Sequence, residues 1–550
     1  MVRCLMKSSS DKKSSRLHLE IQTHRANPYG LIRSSYRENG VIKHETLSRI
    51  TGVPLATLKL IQAAFQGNVV LKSDFKILNS KEYGASFALR QIAKSTGLDK
   101  IIYSRPAEPW VQDVMAMIVG RVIYAGSKLS LTRVGSFSSL WELCGVTDTD
   151  IDVNHHCYSP MDRLMERKDI IQKKLAQKHL TQRSVILYDI TSTYFEGKYT
   201  DSKTITFGYN RDKKRGHEQI VIGLICSQDG CPIAVEVFRG NTKDETTVSA
   251  KILEVKEKYG IENAIFVGDR GMITKAQFEK IQTQEAFQIQ TISALTHSQI
   301  EKLSEREDVQ LSMFDEKNIV EVVDPEKGIR YGLCKNNARA ADEGRTRLAL
   351  LEKTRIELDK IAKAKRKVED GSLGIRVGKV INKFKVGKFV QTTITDGTFS
   401  WSFDEAKIRE EEQYDGCYVI FTNVPKEEME IEEVVRNYRK LINVEQAFRN
   451  LKTVQLEIRP VFHKTDIRVD CHVFLCMLAY YLMWNMKQRL KPLMESDVAG
   501  RNKEYTFDYV IQVLKSIRKE IVDFSGVQSE VITEISEEQR KIAELLEIKF

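Results

Sequence analysis

The sequence predicts an α/β protein: a mixed sheet flanked by helices, interrupted by an α+β insertion and preceded by a mainly helical N-terminal region. Three observations predict it. Between Ser184 and Ala294, apolar β-branched runs first meander and then alternate with helical segments, the pattern of a sheet with helices on its faces. From about Thr296 to Glu412 that texture breaks into a long charged helix and lysine-rich strands. It then resumes with a strand, a clear helix and a long apolar helix. At 550 residues the chain is too long for one core, and about three or four domains are expected. The changes of texture divide it into residues 1–178 (one or two small N-terminal units), 179–295 (first part of the core), 296–412 (an insertion, or an independent domain), 413–490 (second part of the core) and 491–550 (a C-terminal helical region).

Taken in order, Leu17 to Ile21 alternates as a short strand and Val41 to His44 is a second strand-like piece. Tyr83 to Thr96, Glu108 to Ala125 and Met161 to Lys178 have helical periodicity. Val185 to Ile190 is a buried strand. Ile220 to Cys226 and Pro232 to Phe238 form a hairpin around Asp229-Gly230. Glu245 to Lys258 is an amphipathic helix, and Asn263 to Gly268 a fourth strand ending at Asp269. Thr274 to Gln284 reads as a helix and Phe287 to Ala294 as a strand. Within the break, Glu343 to Val368 is a long helix and Val377 to Thr393 is strand-like. Cys417 to Thr422 is a strand after the turn Asp415-Gly416. Ile431 to Lys452 and Val473 to Leu490 are helices, and the chain has no internal repeat.

Composition narrows the class. Lys plus Arg is 85 against 75 Asp plus Glu, a net charge of +10 that fits a polyanionic partner without proving one. Of nine cysteines, Cys226 with Cys231 and Cys471 with Cys476 lie at the loose end of zinc-ligand spacing. The second pair falls on a helix without sharing a face, so free buried thiols are expected. Met1 to Arg16 is rich in Ser and Lys with no apolar core, unlike a signal peptide. The longest apolar run, Cys471 to Trp484, is short for a bilayer and contains His472, which reads as a core helix. A soluble, cytoplasmic protein without a membrane partner is expected. No Gly-rich phosphate loop ending in Lys-Ser/Thr is present, so no nucleotide cofactor is expected either.

Three carboxylates stand out. Phosphodiester chemistry without a covalent intermediate can use two divalent cations held by two or three carboxylates, brought together from remote positions on strand ends and a helix face. Asp189 interrupts an apolar strand, where an acid is costly unless paired or metal-bound; the alternative is a strand-end acid capping Thr191-Ser192-Thr193. Asp269 directly follows Ala264-Ile265-Phe266-Val267-Gly268, the carboxyl end of a strand, where α/β ligand sites gather; a turn or N-cap Asp is the alternative. Glu445 shares a helix face with Tyr438 and Lys452, seven residues away on either side, and with Arg449 one turn on; the alternative is a solvated face with an i,i+4 pair. Glu236, Asp244 and His217, the last following the basic loop Arg211 to Arg215, are competing candidates near the same sheet.

Four stretches together resemble the DDE transposases of bacterial insertion sequences, in the class with a YREK helix. They are Leu187-Tyr188-Asp189-Ile190-Thr191-Ser192-Thr193, Gly240-Asn241-Thr242-Lys243-Asp244-Glu245-Thr246-Thr247, Gly268-Asp269-Arg270-Gly271-Met272, and Tyr438 through Lys452 with Ile458-Arg459-Pro460-Val461 after it. In one departure, Leu441 stands where that class has an Arg three residues after the Tyr; of the nearby arginines, Arg449 shares the helix face. The resemblance implies a ribonuclease-H-like core with the acids on the first strand, the fourth strand and a later helix, and an insertion domain before the last acid. It implies that Asp189, Asp269 and Glu445 hold two Mg²⁺ ions, with Mn²⁺ as a substitute, and that Tyr438, Arg449 and Lys452 hold phosphates. It implies double-stranded DNA as partner, both terminal inverted repeats and target, bound by a homodimer on paired ends, with the N-terminal region on the repeats. In such enzymes an insertion aromatic can receive an extruded base; Trp401 is the candidate here, and a half-buried strand residue is the alternative. The reaction implied is end cleavage and joining of the freed 3′-hydroxyl to target DNA. A ribonuclease-H-like nuclease that never joins ends, and an inactive DNA-binding derivative, are the rival readings.

Overall fold

The computed structural model describes residues 16–23, 27–38, 41–66, 75–106, 108–212, 214, 216–261, 263–270, 272–273, 290–315, 318–364, 368–459, 461, 463–494, 505–524 and 526–550. The expected helix Thr274 to Gln284 lies outside these residues, as do Gly271, Pro460 and the cations Lys365, Arg366 and Lys367. Contacts divide the chain into two compact units, 161–484 and 1–160 with 485–550. The break falls at 160/161, not at 178, because the helix Lys168–His179 packs on the large sheet; there Gln172 Oε1 accepts the Val235 N–H at 2.7 Å.

The unit 161–484 is built on eight strands: β1 Val185–Tyr194, β2 Gln219–Ser227, β3 Pro232–Arg239, β4 Ile265–Val267, β5 Gln290–Ala294, β6 Val320–Asp324, β7 Ile329–Lys335 and β8 Cys417–Thr422. They form one sheet in the order β6-β7-β8-β5-β4-β1-β2-β3. β1, β2 and β3 are an antiparallel meander, and β4 and β5 join parallel to β1. That order, 3-2-1-4-5, is the ribonuclease-H-like core, and β8, β7 and β6 extend it antiparallel. β1 and β2 are apolar along almost their whole length because both faces are covered. The helix Leu441–Arg449 packs on β1 and β2, burying Val444, Ala447 and Phe448. Burial of side chains such as Val444 and Phe448 contributes roughly 1.5–3 kcal/mol each. The helix Ile431–Arg439 lies on β5, β7 and β8, where a Cβ at Gly332 would come within 3.1 Å of Ile431.

The chain between β5 and β8, strands that pair with each other, falls into two parts. The first, with β6 and β7, extends the main sheet over a core of Ile300, Leu303, Val309, Phe314, Val322, Leu333 and Val419. The second has helices Asn337–Ala362, Asp370–Phe384 and Glu405–Gln413, a ribbon Val390–Thr395/Thr398–Phe403, and a small core of its own around Leu351, Val386, Phe389 and Ile408. The strand-like reading of Val377 to Thr393 is corrected here, since the chain is helical to Phe384. Its Val/Lys alternation is subordinate to the helical spacing of Leu373, Val377, Ile381 and Phe384. The long charged helix begins six residues earlier than expected, because Asn336 caps it by accepting the Arg339 N–H.

The other unit holds more strand than expected. An antiparallel sheet of Arg16–Gln22, Tyr29–Glu38 and Val41–Ile50 packs Leu19 against the helix Leu55–Phe65. The C-terminal stretch, read as helical, also carries a hairpin, Arg518–Phe524/Val527–Ile532, paired with Phe75–Glu82. Helices Gly84–Ser95 and Pro109–Ile123 form the apolar core beside it. The helix Asp466–Met494 is long and apolar enough to cross a membrane, but 78% of its apolar window is buried inside the protein, as in a core helix.

Candidate active site

The sheet brings Asp189 and Asp269 together by register. β1 and β4 are parallel, with Leu187 beside Val267, and each acid stands two residues further on, Asp189 in the middle of β1 and Asp269 just past the carboxyl end of β4. Asp189 is half-buried within β1 and takes the Ile190 N–H at 2.8 Å. Asp269 is exposed just beyond β4, where it accepts the Arg270 N–H at 2.7 Å. Ser293 of β5 ties this edge down by donating to the Gly268 carbonyl at 3.0 Å.

Glu445 comes from the helix on β1 and β2 and is exposed. Burial pushes the Asp189 carboxyl up to about 7. The Asp269 and Glu445 charges push it the same way, while the Ile190 N–H and the Arg211 guanidinium oppose the shift. The Asp269 and Glu445 carboxylates therefore both act on the charge of Asp189. Mutual repulsion among hard oxygen donors at a strand edge is what a divalent cation relieves, so the donor set fits such an ion. Elsewhere, two acid–histidine groups, Asp148–His155–His156 and His297–Glu301–Glu411, bring their ligand atoms within 4.8 Å of one another.

Tyr438 reaches the same acids. Its hydroxyl donates to Asp269 at 3.3 Å, and burial followed by the Asp269 charge raises its pKa. The expected unbroken helix from Ile431 to Lys452 is corrected: the chain turns at Lys440, restarts as Leu441–Arg449, and widens into a π turn at Asn450–Val454. The π turn changes the phase, and Lys452 points to Asp212 at 3.2 Å rather than to the acids. Burial lowers the Lys452 pKa against the pull of Asp212. Arg459 pairs with the same Asp212 at 3.1 Å and lies 4.4 Å from the centre of the Tyr194 ring. Arg449 ends its helix exposed, while Leu441, standing where an Arg was expected, is buried.

The loop between β1 and β2 contributes what the sequence left unassigned. The Arg211 N–H donates to Ser192 Oγ at 3.0 Å, which carries its guanidinium toward Asp189. Asp212 anchors the two cations. The signal was the basic loop Arg211 to Arg215; its acid partner could not be paired without the fold. The competing acids have other tasks or places: Glu236 pairs with Lys251, and Asp244 opens the helix Asp244–Glu257. His217 lies against Tyr194, its Nδ1 3.2 Å from the Phe195 carbonyl. Cys226, Cys231, Cys471 and Cys476 are buried free thiols, and burial pushes the Cys226 thiol far above its usual range. A cavity of about 410 Å³ lies at the amino ends of β1 and β4, lined by Val185, Ile265 and Trp484, at the opposite end of the strands from the acids. Trp401 is half-buried on the ribbon, edge-on to Phe403.

The family described as transposase DDE domain matches this chain over residues 180–482, which takes in all three acids and the segment between them. No curated protein matches the chain.

Proposed function

Because the chain belongs to the family of transposase DDE domains, we propose that it is the transposase of an insertion sequence, cutting the element's ends and joining each freed 3′-hydroxyl to target DNA. What supports this reading is that β1 and β4 set Asp189 beside Asp269, and that the charge of Glu445 also acts on Asp189. Asp189, Asp269 and Glu445 would hold two Mg²⁺ ions, with Mn²⁺ as a substitute. When bound, such ions supply an activated attacking oxygen and a stabilised leaving oxygen.

The chain's own residues do the rest. The Tyr438 hydroxyl orients Asp269. Lys452, Arg459 and Arg211 place positive charge along the line a phosphodiester backbone would take into the site, and Arg449 adds another at the helix end. Asp212 holds Lys452 and Arg459 until a phosphate competes for them. The enzyme acts in the cytoplasm on double-stranded DNA, as a homodimer on paired ends, with the N-terminal region on the terminal repeats.

A strand-transfer assay tests the proposal. Linear DNA bearing the element's ends is incubated with the protein, Mg²⁺ and a target plasmid. Covalent joining of the 3′ ends to the plasmid is the expected outcome. Cutting without joining would make the protein a nuclease, and binding without cutting an inactive derivative.

A further inference from the structure

The loop between β1 and β2 carries two aromatic rings turned to solvent, Phe207 at 64% and Tyr209 at 86% exposure. Their backbone is not loose. Thr206 bridges to Gln219, the Gln219 amide donates to the Tyr209 carbonyl at 3.0 Å and to the Gly240 carbonyl at 2.7 Å, and the Arg211 N–H is tied to Ser192. Between the two rings sits Gly208, where a Cβ would come within 1.9 Å of the Gly240 oxygen, so only glycine fits. The loop thus presses on Gly240 and holds both rings outward at fixed positions. Exposed rings on a pinned backbone lose little freedom on binding a flat partner.

The neighbours name that partner. In the chain, Asn210 and Arg211 directly follow Tyr209 and Lys203 lies four residues before Phe207, so cations stand on both sides of the rings in sequence, as a polyanionic partner would need. Tyr209 is two residues from Arg211, at most about 7 Å of chain, or about two base steps. Arg211 in turn donates its N–H to Ser192 Oγ at 3.0 Å, three residues along β1 from Asp189. We propose that Phe207 and Tyr209 form a stacking platform for unpaired nucleobases of the strand whose phosphodiester is held at Asp189, Asp269 and Glu445. This rests on the reading of those acids as the DNA-cleaving centre. Aromatic faces hold any base without reading sequence, while Arg211 and its neighbours follow the backbone.

The test uses the full chain carrying Asp269→Asn, so that DNA is bound and not consumed. Two probes are compared: a blunt duplex, and a duplex with a short single-stranded 3′ overhang containing 2-aminopurine. Binding of the overhang is expected to quench the 2-aminopurine. Phe207→Ala or Tyr209→Ala removes the quenching and weakens overhang binding about tenfold, with blunt-duplex binding changed by less than about twofold. Tyr209→Phe and Phe207→Trp retain both signals. Alanine variants that bind and quench like the parent overturn the platform, as does an equal loss on both probes. Alanine variants that instead lose self-association in sedimentation without DNA overturn it in favour of a protein contact. Cleavage by the wild-type chain in Mg²⁺ separates the two claims: wild-type cutting with unaffected alanine variants removes the platform alone, whereas no wild-type cutting removes both.

Discussion

Asp189 is an acid inside an apolar strand, its carboxyl pushed up to about 7 by burial and by two like charges. Its folded pKa lies above the unfolded value, so the folded chain holds the proton more tightly. Stability from this group is full below about pH 4 and is lost as pH rises toward 7, on the order of 4 kcal/mol. We therefore expect the metal-free chain to lose thermal stability between pH 4 and 7 more steeply than Asp189→Asn does, and Mg²⁺ to restore part of it at pH 7. Equal slopes for the two proteins in a chelator would contradict this. Lys452→Ala should weaken DNA binding and lower the slope of log affinity against log salt by about 1. Asp212→Asn, which releases Lys452 and Arg459, should steepen that slope; a salt titration giving one slope for all three proteins would mean Lys452 serves Asp212 alone. The side-by-side placement of Asp189 and Asp269 was legible because an acid interrupting an apolar strand and an acid directly after one stand out in sequence. Asp212 was not, because its cations lie some 240 residues away in sequence and meet it only through the fold.

Elements were legible where one signal ruled. β1, β2 and β3 were readable from β-branched runs and the Asp229-Gly230 turn. The helix over Ile431 to Lys452 was readable as helix, but its turn at Lys440 and its π turn at Asn450–Val454 carry no local sequence signal. At Val377 to Phe384, alternation and helical spacing coexist in one stretch, and burial of Leu373 and Val377 decided for helix. The motif beginning at Gly240 gains a physical reason. A Cβ there would lie 2.1 Å from the Gln219 oxygen and 2.3 Å from that of Thr206, so the residue lets the β1–β2 loop close on the sheet. Gly240→Ala should cost about 1–3 kcal/mol, read by denaturant unfolding, and lower cleavage by releasing Arg211. An alanine variant with unchanged midpoint and unchanged activity would show that the loop tolerates displacement.

At the scale of the whole molecule, the order of strands and helices pointed to a mixed sheet, whereas the fate of residues 296–412 depended on long-range pairing that no local pattern encodes. β6 and β7 were hidden in that stretch, yet they complete the sheet through β8. The second part, beyond Asn336, is rich in Lys and Arg, charge of the kind that can engage a DNA backbone. Arg355 and Lys360 are paired with Glu352 and Glu357 on the same helix, and Lys388 with Glu411, so much of that charge is already compensated. Because the Asn336 N–H donates to the Gly416 carbonyl at 2.9 Å, residues 338–414 can be replaced by a short glycine linker without cutting the sheet. If this part grips DNA, the shortened protein protects less of a cleaved end in a footprint; identical protection would assign it to protein contacts. The proposed activity depends on the acid triad. The most direct test is cleavage of end-bearing DNA in Mg²⁺ by Asp189→Asn, Asp269→Asn and Glu445→Gln, each with DNA affinity measured in parallel. All three variants are expected to bind DNA like the wild type and cut it more than about a thousandfold more slowly; a variant that binds and still cuts at the wild-type rate would contradict the triad.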